Sequence, residues 1–303
     1  MNIFITGSTG FIGKYLTNAL VDSCDNLLLL SRQAYNIRSL QLAPNVIVIE
    51  GGLSDINSWQ SKVNEFSPDV AVHLAWEGIP DFSFEMSVKN LRYGLDLLGM
   101  LAKVGCKTVI CAGSCWEYGE QSGEVTEEAE VIPYNAFTAA KNSLHWMVRE
   151  ITKENDMRFF WTRLFYVYGP GQRETSLLPY IIRQVQQGKN PELKTPSISN
   201  DFIYVEDVVR AFVAIIKNQP ENSVYNIGSG SETSVKSIAE MVCKQYAVPR
   251  EINMSGGTDG NQTISLLADI SKIKRDTGWE PKISIEEGIQ RMIDSYQGEK
   301  IDE

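Results

Sequence analysis

Apolar residues are concentrated in short runs that are separated by longer amphipathic stretches. The runs are apolar nearly throughout, which is typical of strands buried on both faces of a parallel sheet. They cover residues 2–6, 26–31, 46–50, 70–74, 108–112 and 158–165. The stretches between them predict helices over 11–22, 56–66, 84–104 and 137–155. This alternation predicts an α/β protein with a Rossmann doubly wound parallel sheet.

The pattern becomes less regular after Gly169-Pro170-Gly171. Further on it predicts helices over 176–188, 206–217, 234–246 and 285–296, strands over 202–205 and 224–227, and a turn at 255–257. We therefore expect a Rossmann domain formed by 1–168 plus 202–228. A smaller, discontinuous C-terminal lobe for substrate would comprise 169–201 plus 229–303.

Charge and composition argue against several classes of function. The 303 residues carry a formal net charge of −10, which argues against nucleic acid or an anionic membrane as the main partner. The five cysteines contain no CxxC pair, as expected for reduced thiols of a cytoplasmic protein. The chain starts in a strand, so we expect no signal peptide. No apolar run approaches the roughly 20 residues of a membrane helix. No metal site is predicted.

A glycine-rich loop follows the first predicted strand and precedes the first predicted helix. Gly7, Gly10 and Gly13 recur at every third position. Such a loop makes a tight turn, lets a pyrophosphate approach the backbone and leaves helix N-terminal N–H groups to bind it. We therefore predict that a nicotinamide dinucleotide binds here. The predicted loop contacts are Gly7, Ser8, Thr9, Gly10, Phe11, Ile12 and Gly13.

The second predicted strand ends at Ser31-Arg32, where an acidic residue would bind the ribose 2′-hydroxyl of NAD. No acid is present at that place, and an arginine suits the 2′-phosphate of NADP. The sequence therefore favours NADP(H) as the cofactor, with NAD(H) as the alternative.

Several later segments have a characteristic order and spacing. They are AGSCWEYG at 112–119, Lys141 on a predicted helix, RLFYVYGPGQ at 163–172, NDFIYVED at 200–207, and ADISKIK at 268–274 followed by GWEP at 278–281. Together with the glycine loop, they resemble the extended short-chain dehydrogenase/reductase family of nucleotide-sugar epimerases, dehydratases and reductases. The resemblance extends from residue 3 to about residue 290.

This resemblance implies a Ser/Tyr/Lys site beside the nicotinamide. Ser114 stands at the serine position and Lys141 at the lysine position, where it would lower the tyrosine pKa and hold the nicotinamide ribose. The tyrosine position, four residues before Lys141, is occupied by Phe137. Three explanations are open: an introduced Tyr-to-Phe replacement, another donor such as Glu117, Cys115 or water, or a non-catalytic dinucleotide-binding protein.

The residues after Ser114 reduce the number of reactions that the resemblance allows. Family dehydratases carry an Asp-Glu pair where this chain has Cys115-Trp116, which disfavours dehydration. The stretch Gly-Ser-Cys-Trp-Glu-Tyr-Gly looks most like the corresponding stretch of 4-keto-6-deoxy nucleotide-sugar reductases. We therefore expect an NADP(H)-dependent reduction of the C4 keto group of a nucleotide-activated 6-deoxyhexose. The alternatives are a nucleotide-sugar C4 epimerase that keeps NAD bound, and the non-catalytic protein.

The same resemblance suggests further contacts and a partner. The family commonly has Arg where Asn200 stands, Asn where Tyr166 stands, and a second Arg within the segment 256–267, where this chain has none. The additional cofactor contacts are expected to be Leu53, Leu74 and Ala75. The substrate contacts are expected to be Trp76, Cys115, Trp116, Glu117, Tyr166, Gln172, Arg173 and Asn200. Helices 84–104 and 137–155 would pair two subunits, so a homodimer is expected.

Overall fold

Seven parallel strands form the central sheet of the computed structural model, which describes residues 1–24, 26–33, 43–221, 223–247, 253–254 and 265–298. The strands are β1 (Asn2–Thr6), β2 (Asn26–Ser31), β3 (Val46–Glu50), β4 (Val70–His73), β5 (Thr108–Ser114), β7 (Arg158–Leu164) and β11 (Val224–Ile227). Their order across the sheet is β3-β2-β1-β4-β5-β7-β11. The predicted doubly wound parallel sheet is confirmed, and the chain reverses its direction of winding between β1 and β4.

Helices cover both faces of this sheet, and others pack together in a separate core. They are α1 (Phe11–Val21), α2 (Ile56–Phe66), α3 (Phe84–Lys103), α4 (Ala136–Glu154), α5 (Leu177–Gln186), α6 (Val205–Asn218), α7 (Val235–Gln245), α8 (Ser271–Thr277) and α9 (Ile285–Gly298). α1 packs with α6 on one face, and α3 packs with α4 on the other, whereas α5, α7 and α9 form the separate core. No helix in the described part of the chain is long and apolar enough to cross a membrane.

The strand sequences explain why both faces are covered. In β1, Ile3 and Ile5 belong to the apolar core on the α1 and α6 side, whereas Phe4 belongs to the core on the α3 and α4 side. Successive side chains of a strand point to opposite faces, so a run without polar residues must be covered twice. This is the physical basis of the apolar runs in the sequence.

Small sheets lie outside the main sheet, and the sequence pattern predicted only part of one of their strands, Ser199–Tyr204. The strands are β6 (Gly123–Val125), β8 (Tyr166–Tyr168), β9 (Glu192–Leu193), β10 (Ser199–Tyr204), β12 (Glu232–Ser234), β13 (Asn253–Met254) and β14 (Leu266–Ala268). β10 lies between β12 and β8, outside the seven-stranded sheet. The strand predicted over 202–205 is thus three residues longer at its start, and α6 begins at Val205. The predicted turn at 255–257 lies outside the described residues.

Two buried carboxylates connect distant segments of the chain. Asp201 on β10 accepts hydrogen bonds from the backbone N–H groups of Gly230 at 2.9 Å and Ala268 at 3.2 Å. Asp207 on α6 accepts from Lys282 at 2.8 Å and Ile283 at 3.0 Å. Charge-assisted bonds of this kind fix the loop before α9 against the Rossmann part. The domain boundaries predicted from the sequence remain a proposal.

Candidate active site

A crevice of about 590 Å³ opens at the carboxyl ends of β1, β2, β4 and β5, where the winding of the sheet reverses. Open α/β sheets bind ligands at this point. The predicted cofactor residues that line it are Gly7, Thr9, Gly10, Phe11, Ile12, Gly13, Ser31, Arg32, Leu53, Leu74 and Ala75. Ser8 lies beneath the loop, 1% exposed, and its hydroxyl donates to the Leu30 carbonyl.

The glycine loop has the geometry that a diphosphate requires. Gly7 has a φ of +77°, and a Cβ at this position would lie 2.7 Å from the Ala75 nitrogen. A Cβ on Gly13 would overlap the Gly7 carbonyl, so helix and strand approach too closely for any side chain. Gly10 begins α1 without a side-chain cap, and the first turn contains no acid. The open N–H groups and the helix dipole therefore fit an anionic cofactor.

The end of β2 carries a cation at the rim of the crevice. The Arg32 side chain is 75% exposed, and its guanidinium lies 3.9 Å from the Glu77 carboxylate, which also pairs with Lys89 at 3.0 Å. Glu77 is held by Asn90, which accepts from its backbone N–H at 2.7 Å. Because the Arg32 side chain is exposed, it can turn towards a phosphate placed over Ser31 without breaking a buried contact.

Lys141, one of the predicted catalytic residues, contacts two residues that line the crevice. Its ammonium donates to the Ala112 carbonyl at 2.7 Å and lies 4.0 Å from the centre of the Trp76 ring. Ala112 lines the crevice and Ser114 ends the same strand. Burial lowers the pKa of Lys141 to about 8, although nearby Glu117 raises it. The structure therefore places Ser114 and Lys141 at one end of β5.

The Ser114 side chain also organises the backbone that follows it. Its hydroxyl accepts from the Trp116 N–H at 3.2 Å and caps a short 3₁₀ helix, Cys115–Tyr118. The Glu117 carboxylate in turn accepts from the Ser114 N–H at 2.8 Å. This reciprocal capping fixes the direction of the residues after β5.

Phe137 lies in an aromatic cluster, which we define as Trp76, Phe82, Trp116 and Phe137. Its ring centre is 5.1 Å from that of Phe82, 5.4 Å from that of Trp76 and 6.2 Å from that of Trp116. The side chain is 5% exposed. Aromatic neighbours therefore surround the position at which the family resemblance implies a phenolic hydroxyl, and Phe137 has no proton to donate.

Glu117 and Cys115 are enclosed by the protein, which is at odds with the prediction that they contact substrate. Glu117 is 0% exposed and pairs with Arg163 at 3.2 Å, while its second contact is the Trp161 indole at 2.9 Å. Burial raises the pKa of Glu117 and that of the Cys115 thiol. Cys115 packs against Phe165 in a small apolar core. Neither side chain lines the crevice.

The other predicted substrate residues divide into three groups. Trp76, Gln172 and Arg173 line the crevice. Trp116 and Tyr166 lie side by side, with the indole N–H donating to the phenolic oxygen at 3.4 Å. Asn200 is 7% exposed on β10, and its side-chain oxygen has no hydrogen-bond partner among the described residues.

The crevice also contains residues that sequence reasoning did not select. They are Leu30, Gly51, Gly52, Glu77, Gly78, Ile79, Ala112 and Ser176. Most occupy the last residue of a predicted strand or the loop after it, so extending each predicted strand by a few residues would have found them. Ser176 is different, because it begins α5 in the C-terminal lobe and reaches the crevice only through the tertiary fold.

A family model described as the NAD dependent epimerase/dehydratase family matches residues 3–228. The chain belongs to this family. The resemblance inferred from the sequence is confirmed, and with it the assignment to NAD(P)-dependent enzymes of the short-chain dehydrogenase/reductase type. Membership rests on the part of the chain that contains the glycine loop, Ser114 and Lys141.

Individual members of the family are similar over nearly the whole chain. The low-salt glycan biosynthesis protein Agl12 of Haloferax volcanii is 28% identical, with 99% of each chain covered. A trifunctional UDP-glucose 4,6-dehydratase/UDP-4-keto-6-deoxy-D-glucose 3,5-epimerase/UDP-4-keto-L-rhamnose-reductase of Arabidopsis thaliana is 27% identical over 97% of this chain. This chain spans about half of that plant relative, 47% of its length.

A solved structure of a family member has a closely similar fold. The UDP-glucuronic acid 4-epimerase of Bacillus cereus, in complex with UDP-glucuronic acid and NAD, superposes with a TM-score of 0.88 at 25% identity. The match covers 98% of this chain and 99% of the epimerase.

Proposed function

We propose that this family member reduces the C4 keto group of a nucleotide-activated 6-deoxyhexose with NADP(H). The observation that carries the proposal is the position of Lys141, whose ammonium contacts Ala112 at the crevice and Trp76 of the aromatic cluster. A group bound in the crevice and a sugar resting on the aromatic cluster would meet beside this side chain. One active centre could then serve both ligands.

The residues of the chain supply binding and orientation. The glycine loop and the N-terminus of α1 would hold the dinucleotide diphosphate, and Arg32 would hold a 2′-phosphate. Lys141 would bond the nicotinamide ribose. The bound dinucleotide would supply the hydride equivalent, and Ser114 would donate a hydrogen bond to the sugar carbonyl oxygen. The aromatic cluster would exclude water and present an apolar surface to a deoxygenated sugar.

The activities of the relatives support two versions of this proposal. One of the three activities named for the plant relative is a UDP-4-keto-L-rhamnose reductase, which favours reduction. The Bacillus cereus enzyme is a 4-epimerase in complex with NAD, which favours epimerisation at C4 with a retained cofactor. Both versions use the same crevice and the same carbon atom, and the second is our alternative proposal.

Identifying the ligands that the purified protein carries distinguishes the epimerase from the reductase. A C4 epimerase would copurify with NAD, which mass spectrometry detects after the protein is denatured. A reductase would be purified largely without cofactor and would oxidise NADPH, followed at 340 nm, when a 4-keto-6-deoxy nucleotide sugar is added. Tight dinucleotide binding with neither bound NAD nor NADPH oxidation would support the non-catalytic protein instead.

Arg32 gives a test of the cofactor. We expect Arg32→Ala to weaken NADPH binding about 10-fold, since a charge-assisted contact with a phosphate is lost at an exposed site. NADH binding should change less than about twofold, because NADH has no 2′-phosphate for a guanidinium to contact. Isothermal titration calorimetry measures both affinities. Arg158→Ala, at an exposed arginine on β7, is the matched control. Equal losses for NADPH and NADH would contradict the NADP assignment.

We also propose a homodimer formed through α3 and α4. Val88 on α3 is 47% exposed, and Trp146 and Met147 on α4 are 59% and 51% exposed, although all three are apolar. Trp146→Glu should convert the dimer to a monomer, since a charge would be buried in the interface. Light scattering coupled to size-exclusion chromatography measures the mass. Ile47→Glu, at an exposed apolar residue of β3, should leave the dimer intact. A monomeric wild-type protein would contradict this proposal.

A further inference from the structure

We infer that Tyr166 supplies the hydroxyl that Phe137 lacks, and that it protonates the C4 oxygen of the sugar as this oxygen is reduced. The inference rests on the proposed function, because it names the proton donor of that reaction. It would explain how a chain with phenylalanine at position 137 can still complete a carbonyl reduction.

The surroundings of three other side chains exclude them as the proton donor. Phe137 has no ionisable group and is enclosed by the aromatic cluster. The Glu117 carboxylate accepts from three protein groups: the Ser114 N–H, the Trp161 indole and the Arg163 guanidinium. The Cys115 side chain is 2% exposed and packs in an apolar core. None of these three side chains can place a proton at a bound sugar.

Tyr166 lies beside Trp116, which borders the Phe137 position. It is the first residue of β8, two residues after the end of β7, and its ring centre is 5.6 Å from that of Phe202. Its hydroxyl oxygen lies 3.4 Å from the Trp116 indole nitrogen. Trp116 also contacts the Phe137 ring and donates its backbone N–H to the Ser114 hydroxyl. Tyr166, Phe137 and Ser114 therefore all contact one tryptophan.

The direction of the Trp116 hydrogen bond leaves the Tyr166 proton available. The indole N–H is a donor only, so the phenolic oxygen must accept in this bond. The phenolic hydrogen has no acceptor among the residues that the structure describes and is free to bond a ligand oxygen. The same indole N–H would stabilise the tyrosinate once the proton has been transferred.

The step balances as a carbonyl reduction. The C4 carbon gains the hydride equivalent provided by NADPH, which is oxidised to NADP⁺. The π bond of the carbonyl breaks, and its electron pair becomes a lone pair on oxygen. That oxygen takes the proton from the Tyr166 hydroxyl, forming the O–H bond of the product alcohol. The tyrosinate recovers a proton from water.

Burial determines the protonation state of the phenol. Desolvation raises the pKa of Tyr166, with a further increase from nearby Cys115, while the Trp116 hydrogen bond lowers it. The side chain therefore stays protonated throughout the range in which the protein can be assayed. We expect kcat to show no fall with rising pH that could be attributed to loss of the Tyr166 proton below about pH 9.

The test compares two tyrosines that both flank Trp116. Tyr166→Phe removes only the proposed donor, and Tyr134→Phe is the matched control, since the Tyr134 ring centre lies 6.4 Å from that of Trp116. With NADPH and a 4-keto-6-deoxy nucleotide sugar, Tyr166→Phe should lower kcat by about 100-fold or more, with KM changed less than about threefold. Tyr134→Phe should stay within about twofold of the wild type. A kcat of Tyr166→Phe equal to that of the wild type would overturn the inference.

A binding measurement makes the test independent of turnover. In the presence of NADP⁺, calorimetry would compare UDP-glucose and dTDP-glucose with their 4-deoxy analogues. Tyr166→Phe should bind the C4-hydroxyl sugars about 3- to 10-fold more weakly than the wild type and the 4-deoxy sugars equally well. If no 4-keto sugar is reduced but this difference is found, the proposed function fails while Tyr166 remains the C4 contact. Equal affinities, or no binding by the wild type, would overturn the inference.

Discussion

Lys141→Met is expected to stabilise the fold by about 2–3 kcal/mol at pH 7 and to abolish most of the activity. The ammonium of Lys141 is buried, and burial lowers its pKa from 10.5 to about 8. One unit of pKa corresponds to about 1.4 kcal/mol, so holding this charge in the folded state at pH 7 costs about 3 kcal/mol. Methionine fills similar space without charge. The buried charge of Lys141 therefore destabilises the fold, and the activity depends on this same charge.

The pH dependence tests the sign of this effect. Between pH 8 and 10.5 the unfolded chain keeps the Lys141 proton and the folded chain loses it. The free energy of unfolding should therefore rise with pH in this window for the wild type, relative to Lys141→Met. Denaturant titrations at pH 7, 9 and 10 measure the difference.

An exposed lysine of the same helix serves as the control. Lys153→Met should change the free energy of unfolding at pH 7 by less than about 0.5 kcal/mol. A Lys141→Met protein less stable than the wild type at pH 7 would contradict the argument. NADPH oxidation by this variant should fall at least about 100-fold, because no cation remains to bond the nicotinamide ribose.

Arg163→Met is expected to destabilise the fold by about 3–5 kcal/mol, since it leaves the buried Glu117 carboxylate unpaired. The Arg163 side chain is 3% exposed, donates to Glu117 at 3.2 Å, to the Tyr118 hydroxyl at 2.9 Å and to the Glu127 carbonyl at 3.0 Å. Removing one partner of a buried ion pair costs more than the pair contributes. Urea unfolding at pH 7 measures the loss.

A double variant separates this charge effect from lost packing. Arg163→Met combined with Glu117→Gln should recover about 1–3 kcal/mol relative to Arg163→Met alone, because no unpaired charge remains. Arg158→Met, at an exposed arginine of the same strand, should change stability by less than about 0.5 kcal/mol. If the double variant were less stable than the sum of the single changes, the ion pair would not be the cause.

The main sheet could be predicted because its signals are local. The apolar runs of β1, β2 and β3 are uninterrupted, and the first predicted helices begin and end within a residue or two of α1 and α2. The small strands β8 and β12 could not be predicted. They are three residues long, and their pairing with β10 joins segments that are far apart in the sequence. No periodic pattern arises over so short a length.

The candidate site was predictable where spacing determines geometry. The glycine loop has to lie between strand and helix, and Lys141 follows Phe137 by one helical turn, so both lie near the crevice. Cys115 and Glu117 were selected because they closely follow Ser114, and the sequence contains no sign that both side chains are buried. The short 3₁₀ helix turns their side chains inward, away from the crevice. The contact between Trp116 and Tyr166 joins residues 50 positions apart, so it becomes visible only in the three-dimensional structure.

The position of β11 has a consequence for synthesis on the ribosome. This strand is the last of the main sheet and pairs with β7, yet between the two strands the chain forms β8, α5 and β10, which lie outside that sheet. A nascent chain that has emerged only as far as residue 200 therefore presents β7 as an open edge, with backbone groups ready to pair with another molecule. The Rossmann part can be completed only after residue 227 has left the exit tunnel, and an interrupted chain would be prone to aggregation.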